Sequence, residues 1–257
     1  MKKINLYISR KKEKPTIKLV VNNLTTRIML LIFINLVLIT SFFILFGYYN
    51  QISLLEKKEG EKLKHIATSV ALSINGDKHE NLIKNTNSIL NIKNNNDYYS
   101  IHNVLKKNYN ENKLKNTIYT LTYQPDNKSL MYGVRSDTFI DFKNEYFIYP
   151  KMLIDSFNVG GIIPRYKTEN GEFLSAFHPI KNSNNKVIAV VETDIEFGYF
   201  IQKARSQYLT QGIISLIVMI VIGIILFKFS LKILRKEERN KKRLNSKKIQ
   251  LKKKTKV

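Results

Sequence analysis

The architecture is decided first by residues 28–49, which read IMLLIFINLVLITSFFILFGYY and contain no charged side chain. A helix of these 22 residues is roughly 33 Å long, enough to cross a hydrocarbon core of about 30 Å. A second uncharged run of 22 residues covers 206–227. A soluble domain of this size has little room for two helices that are apolar on every face. The sequence therefore predicts two transmembrane helices, at 28–49 and 209–229.

The first apolar run is longer than the central region of a secretory signal peptide, which has about 7–15 residues and precedes a small-residue cleavage site. This run ends instead in the bulky sequence Phe46-Gly47-Tyr48-Tyr49. We therefore expect an uncleaved anchor.

The basic residues are concentrated on both sides of these runs. Residues 1–27 carry +7 and residues 228–257 carry +12 of the net charge of +23. Under the positive-inside rule this pattern places both termini in the cytoplasm and residues 50–208 outside it. The tails, 1–27 and 230–257, are expected to contact anionic lipid headgroups, each cation contributing about 1 kcal/mol. This distribution favours a juxtamembrane anchor over nucleic-acid binding by the Lys252–Lys254 tail.

The exported segment, 50–208, is long enough for one domain with its own core. Apolar residues recur with a helical period from Leu54 to Ile74 and predict a long helix continuing from the first span. Asn75-Gly76 ends it, glycine being suited to the left-handed conformation after a helix. Shorter helices are predicted at Asp77–Leu90, around Tyr98–Tyr109 and near Pro150–Phe157.

After these helices the period of the apolar residues changes to two, which predicts strands joined by turn-forming residues. About five antiparallel strands are expected, followed by a helix that starts near Glu196 and leads into the second span. The fold class is therefore α+β. The predicted strands are Thr117–Gln124, Ser129–Val134, Ile162–Lys167, Glu172–Ile180 and Lys186–Asp194.

Three stretches carry a family resemblance. They are GEFLSAFHPIKNSNNKVIAVVETD at 171–194, IATSVALSINGDKHE at 66–80, and the hairpin that begins with IYTL at 118–121. In this order, framed by two spans, they resemble the extracytoplasmic Cache domains, PAS-like sensor modules of bacterial receptors. The resemblance covers most of 50–205. It implies a single small-molecule sensor domain in a bacterial cytoplasmic (inner) membrane, with its pocket between sheet and helices.

The sequence contains no zincin motif, nucleophile elbow, phosphate-binding glycine loop or cyclase signature. We therefore expect a protein that is not an enzyme and has no cofactor. Cysteine is absent, so disulfides and thiolate metal sites are excluded. His79 with Asp77 is the one candidate metal or ligand pair, and capping of a helix start is the alternative role of these residues.

Candidate ligand contacts combine aromatic rings with a few polar tips, the usual composition of a small-molecule site. Arg135 is a candidate for gripping a carboxylate through two hydrogen bonds. Packing of the tyrosines in the core, and an anchoring role for Asp194 between the last strand and the next helix, remain the alternatives. The candidates are Tyr119, Tyr132, Arg135, Tyr146, Tyr166, His178 and Asp194.

The leading hypothesis is a membrane sensor that binds a small molecule outside the cytoplasm and signals through its transmembrane helices. Only about 27 residues follow Ser230, so a separate cytoplasmic signalling partner is expected, and the resemblance also implies a homodimer. Two alternatives stay open. One is a membrane-anchored scaffold or assembly protein of the cell envelope, and the other is the remnant of a receptor that lost its kinase or cyclase module.

Overall fold

The computed structural model describes residues 24–86, 92 and 94–254. Most of the predicted N-terminal tail and the end of the predicted helix Asp77–Leu90 lie outside these residues. The chain divides into two compact units. One is Tyr48–Ser206, and the other combines the described residues up to Gly47 with those from Gln207 onward.

Two long helices begin and end the described chain. Helix α1 is Leu24–Ser73, 50 residues, so the predicted first span continues without a break into the segment that follows residue 49, as expected. Helix α5 is Gly198–Lys254, 57 residues, and includes the second predicted span and most of the basic segment predicted as a tail. Both are long and apolar enough to cross a membrane, and their apolar windows are 0% and 6% buried. A core helix of a soluble domain would bury this surface.

Two short helices follow α1, and each is capped by an asparagine. Helix α2 is Gly76–Asn85, where the Asn75 side chain accepts a hydrogen bond from the Lys78 amide. Helix α3 is Asn96–Glu111, capped by Asn95 in the same way. The expectation for Gly76 was wrong: it is not among the glycines with positive φ. Instead, a Cβ there would collide with the Lys181 carbonyl, so glycine allows a close backbone approach.

The sheet has six antiparallel strands in the order β3-β2-β1-β6-β5-β4, one more than predicted. The additional strand, β3, has two residues and is too short to show a period in sequence. A four-residue helix, α4 at Met152–Asp155, precedes β4. The strands are β1 Tyr119–Gln124, β2 Ser129–Arg135, β3 Glu145–Tyr146, β4 Gly161–Thr168, β5 Gly171–Lys181 and β6 Val187–Glu196.

The two faces of the sheet pack against different elements. On one face Val134 and Val191 join the buried residues of α1, α2 and α3. On the other face Tyr119 and Phe177 join Leu153 of α4. Strand side chains alternate between faces, so residues two apart in β6, such as Glu192 and Asp194, lie on the α4 face. The candidate site is on this face.

Candidate ligand-binding site

A cavity of about 510 Å³ opens on the α4 face of the sheet. Its volume lies within the range of about 300–1,000 Å³ that is usual for small-molecule sites. Six of the seven predicted site residues line it: Tyr119, Tyr132, Arg135, Tyr146, Tyr166 and Asp194. These residues come from five different strands, so the sheet brings together groups that are up to 75 positions apart.

A β-bulge in β2 turns two of these side chains to the cavity. Tyr119 pairs with Arg135, whereas Leu121 pairs with Tyr132, so β2 has one more residue than β1 in this interval. The extra residue reverses the alternation, and Tyr132 and Arg135 therefore both face the cavity. Gly133 lies at the bulge, where a Cβ would collide with the Thr120 hydroxyl.

A second bulge, on the edge strand β4, has the same effect on Tyr166. Ile163 pairs with Ser175 and Tyr166 with Phe173, which again leaves one extra residue, here in the interval that contains Pro164. Proline is tolerated at such edge positions because it has no N–H to donate to the ladder. The Tyr166 hydroxyl consequently lies 2.9 Å from the Ser175 hydroxyl on the cavity face.

Three tyrosine rings form the wall of the cavity. The ring centroids of Tyr119 and Tyr132 are 5.4 Å apart, those of Tyr132 and Tyr146 are 5.1 Å apart, and those of Tyr119 and Tyr146 are 5.8 Å apart. All three pairs are edge-to-face, the favoured geometry for aromatic contacts. The cluster therefore holds each ring in a fixed orientation.

The hydroxyls of this cluster are connected to two carboxyl groups of β6. The Tyr119 hydroxyl donates to Asp194 Oδ2 at 3.2 Å and lies 3.2 Å from the Tyr146 hydroxyl. The Tyr146 hydroxyl in turn donates to Glu192 Oε1 at 3.5 Å. The Asn116 amide donates to Asp194 Oδ1 at 2.7 Å. Glu192 Oε2 has no hydrogen-bond partner among the described residues.

Burial changes the acidity of both carboxyl groups. Glu192 is fully buried, and burial, reinforced by the charge of Asp194, raises its pKa well above the ordinary value. Burial also raises the pKa of Asp194, although hydrogen bonds from Asn116 and Tyr119 oppose this effect. Two like charges on one strand face disfavour each other. The pair therefore takes up protons more readily than exposed carboxylates do.

Arg135, at the end of β2, is already paired with two carboxylates of the loop that follows. Its Nε donates to Asp137 Oδ1 at 3.0 Å and its Nη2 to Asp137 Oδ2 at 2.7 Å. Its Nη1 donates to Asp141. This bidentate arrangement is the one that Arg135 was predicted to offer to a ligand. A ligand carboxylate would have to displace Asp137 to obtain it.

The remaining predicted residues lie elsewhere. His178 is on the opposite face of the sheet, where its Nδ1 is 3.3 Å from the Thr68 hydroxyl of α1. His79 is fully buried beside Thr120, whereas Asp77 is exposed and accepts hydrogen bonds from Ser183. They form no common site. Within residues 24–86, 92 and 94–254 no three His, Cys, Asp or Glu side chains could hold a metal ion.

Sequence reasoning missed several residues of the cavity. Asn116, Glu145, Phe147 and Ile148 line it. They were not predicted because they lie in segments whose sequence shows no strand period. Glu192, beneath Tyr146, was not among the candidates either. Its signal was present in the sequence, because it shares a strand face with Asp194.

The sequence matches no protein-family model and no curated protein. The structure is similar to the sensor domain of E. coli DcuS, with 14% identity over 57% of this chain and 97% of that chain, and a TM-score of 0.39. It is also similar to the periplasmic sensory domain of the Campylobacter jejuni chemoreceptor Tlp1, with 13% identity over 58% of each chain and a TM-score of 0.34.

The ligand-binding domain of C. jejuni Tlp3, in complex with 4-methylisoleucine, gives 13% identity over 58% of this chain and 63% of that chain, with a TM-score of 0.28. The match thus spans less than two thirds of the length of either chemoreceptor domain. These identities and TM-scores are too low to assign the chain to a family. Membership of the Cache group stays a prediction.

Proposed function

We propose that the chain is a membrane sensor without catalytic activity, which binds a small molecule in the cavity and signals through α1 and α5 to a separate cytoplasmic partner. The observation that carries this proposal is the network on the cavity floor. A carboxylate, Asp194, and two tyrosine hydroxyls, those of Tyr119 and Tyr146, converge there in a space large enough for a ligand. Convergent polar groups in an aromatic cavity are typical of ligand sites.

Two features support the membrane part of the proposal. The apolar windows of α1 and α5 bury almost none of their residues within the structure, and such a surface is stable in a hydrocarbon core. The excess of basic residues on the terminal sides of both windows supports a cytoplasmic position of the termini under the positive-inside rule. The cavity then lies outside the cytoplasm.

The route from the cavity to α5 is short. Asp194 is followed three positions later by Phe197, which is fully buried against Ile52 and Leu63 of α1. The Phe197 amide donates to the Glu172 carbonyl of β5 at 2.7 Å. A ligand that binds one arrangement of β6 better than another would shift the population of that arrangement. Because β6 leads into α5 within this packed cluster, α1 and α5 would respond together.

The test uses the full chain in lipid nanodiscs and hydrogen exchange of Tyr48–Ser206. Mixtures of amines, organic acids, amino acids and nucleobases are added in turn. We expect one mixture to slow exchange in β1 and β6, Asp194→Asn to remove that effect, and Asp126→Asn, at the exposed tip of the β1–β2 hairpin, to retain it. No change with any mixture would contradict the proposal and favour the scaffold alternative.

A further inference from the structure

The cavity floor offers mainly hydrogen-bond acceptors to a ligand. Asp194 presents two carboxylate oxygens, with one donor to each from the protein. Glu192 is fully buried beneath it and is not among the residues that line the cavity, so the carboxylate that a ligand can reach there is that of Asp194. An ammonium group has three N–H donors and no acceptor, and it complements such a floor.

The wall of the cavity also favours a positively charged ligand. Tyr119, Tyr132 and Tyr146 surround the floor with ring centroids 5.1–5.8 Å apart. Ring faces attract cations, and the attraction increases when the cation is desolvated. A cation at Asp194 would therefore gain from both the carboxylate and the rings.

A ligand carboxylate has no comparable partner. Among the described residues that line the cavity, Arg135 is the one Lys or Arg, and its guanidinium is held by Asp137 and Asp141. The two negative charges of these carboxylates outnumber the single positive charge of Arg135. A carboxylate entering the cavity would meet Asp194 without a free cation to offset the repulsion.

A metal ion fits the site less well than an organic cation. Near Asp194 the side chains are tyrosines, an amide and the buried Glu192, and no group of three metal-ligating side chains exists in the described part of the chain. The cavity of about 510 Å³ is also much larger than one ion needs. Its aromatic wall suits an alkyl chain.

From these observations, and on the basis of the sensor function proposed above, we infer that the ligand is a protonated alkylamine without a carboxylate beside its ammonium group. The ammonium binds Asp194, among the Tyr119, Tyr132 and Tyr146 rings, and the alkyl chain lies along the aromatic wall.

The test compares four probes of similar size, titrated calorimetrically into the full chain in nanodiscs. They are n-pentylamine, 1-pentanol, pentanoate and L-isoleucine. We expect pentylamine to bind at least about tenfold more tightly than the other three. Asp194→Asn is expected to weaken pentylamine binding about 10- to 100-fold, the size of one lost charged hydrogen bond, whereas Asp126→Asn is expected to leave it unchanged.

Tighter binding of pentanol, pentanoate or isoleucine would overturn the amine assignment while leaving the sensor proposal intact. Unchanged pentylamine affinity in Asp194→Asn would overturn it as well, since binding would then occur elsewhere. Absence of binding for all four probes also overturns it. The sensor proposal fails separately, when no mixture alters hydrogen exchange in β1 and β6. A thermal unfolding curve of Asp194→Asn close to that of the wild type separates lost binding from lost folding.

Discussion

The Tyr119 hydroxyl donates a hydrogen bond to Asp194 Oδ2 at 3.2 Å across the boundary between β1 and β6. The contact joins the two central strands of the sheet at the floor of the cavity. Strand β6 also leads directly into α5. One strand would therefore link a ligand bound at Asp194 to α5.

Removing this hydroxyl tests its contribution to the fold. Tyr119→Phe takes one donor from Asp194 and one neighbour from Tyr146, while the ring contacts remain. We expect a loss of about 1–2 kcal/mol in the free energy of unfolding, measured by chemical denaturation of the full chain. Tyr99→Phe, at an exposed position of α3, is the control and should change stability little. Equal effects of the two substitutions would contradict the role of the Tyr119 hydroxyl.

Glu192 should make the compact unit Tyr48–Ser206 less stable as the pH rises. Burial raises the pKa of Glu192 above 4.5 in the folded state, so the folded chain holds a proton that the unfolded chain has released. Its contribution is fully present below about pH 4.5 and is lost as the pH rises through the folded pKa. Glu192→Gln should flatten this slope and stabilise the unit at neutral pH, as measured by hydrogen exchange.

Glu169→Gln, in the exposed β4–β5 turn, is the control for this experiment. It should preserve the wild-type slope. If Glu192→Gln also preserves the wild-type dependence of stability on pH, Glu192 is not a buried neutral acid.

His79 should make the folded chain less stable as the pH falls. Burial lowers the pKa of His79 to about 4, so the folded state holds the neutral ring while the unfolded state takes up a proton. Its contribution is fully present above about pH 6.5 and decreases as the pH falls toward 4, by roughly 3 kcal/mol in all. Denaturant unfolding of His79→Gln should show a weaker loss across this window. His65→Gln, exposed on α1, should behave as the wild type.

The β2 bulge should not tolerate a larger residue than glycine. A Cβ at Gly133 would collide with the Thr120 hydroxyl, which is held by the Val134 amide and by His79. We expect Gly133→Ala to cost about 1–3 kcal/mol of stability, measured by thermal unfolding. At Gly161 the nearest atom to a new Cβ is Met152 Cε at 3.5 Å, so Gly161→Ala serves as the control with a small effect. A Gly133→Ala variant as stable as Gly161→Ala would show that the bulge can relax.

The elements with a clear period were predictable from sequence. The apolar runs at 28–49 and 206–227 indicated two long helices, and alternation indicated five of the six strands. Strand β3 was missed because a pair of residues, Glu145–Tyr146, has no period. This short strand forms by pairing with Leu130 and Met131 at the otherwise unpaired edge of β2.

The lining of the cavity was predictable in composition but less so in geometry. Tyrosines and Asp194 were identified by residue type and strand face. The bulges at Gly133 and Pro164 cannot be read from alternation, yet they decide that Tyr132, Arg135 and Tyr166 face the cavity. His178 was misplaced because the sequence did not show which face of β5 meets α1. The pairing of Arg135 with Asp137 and Asp141 depends on the loop after β2, which has no regular pattern.

The most direct test of the account labels one cysteine at the cavity mouth in intact cells. The natural chain has no cysteine, so Phe147→Cys, at a lining position that is 77% exposed, gives a single reactive thiol. We expect a membrane-impermeant maleimide to label it in intact cells, and pentylamine to slow the labelling. Arg239→Cys in α5 should be labelled only after permeabilisation. Labelling of Phe147→Cys only after permeabilisation, or at a rate that pentylamine leaves unchanged, would contradict an extracytoplasmic cavity that binds an alkylamine.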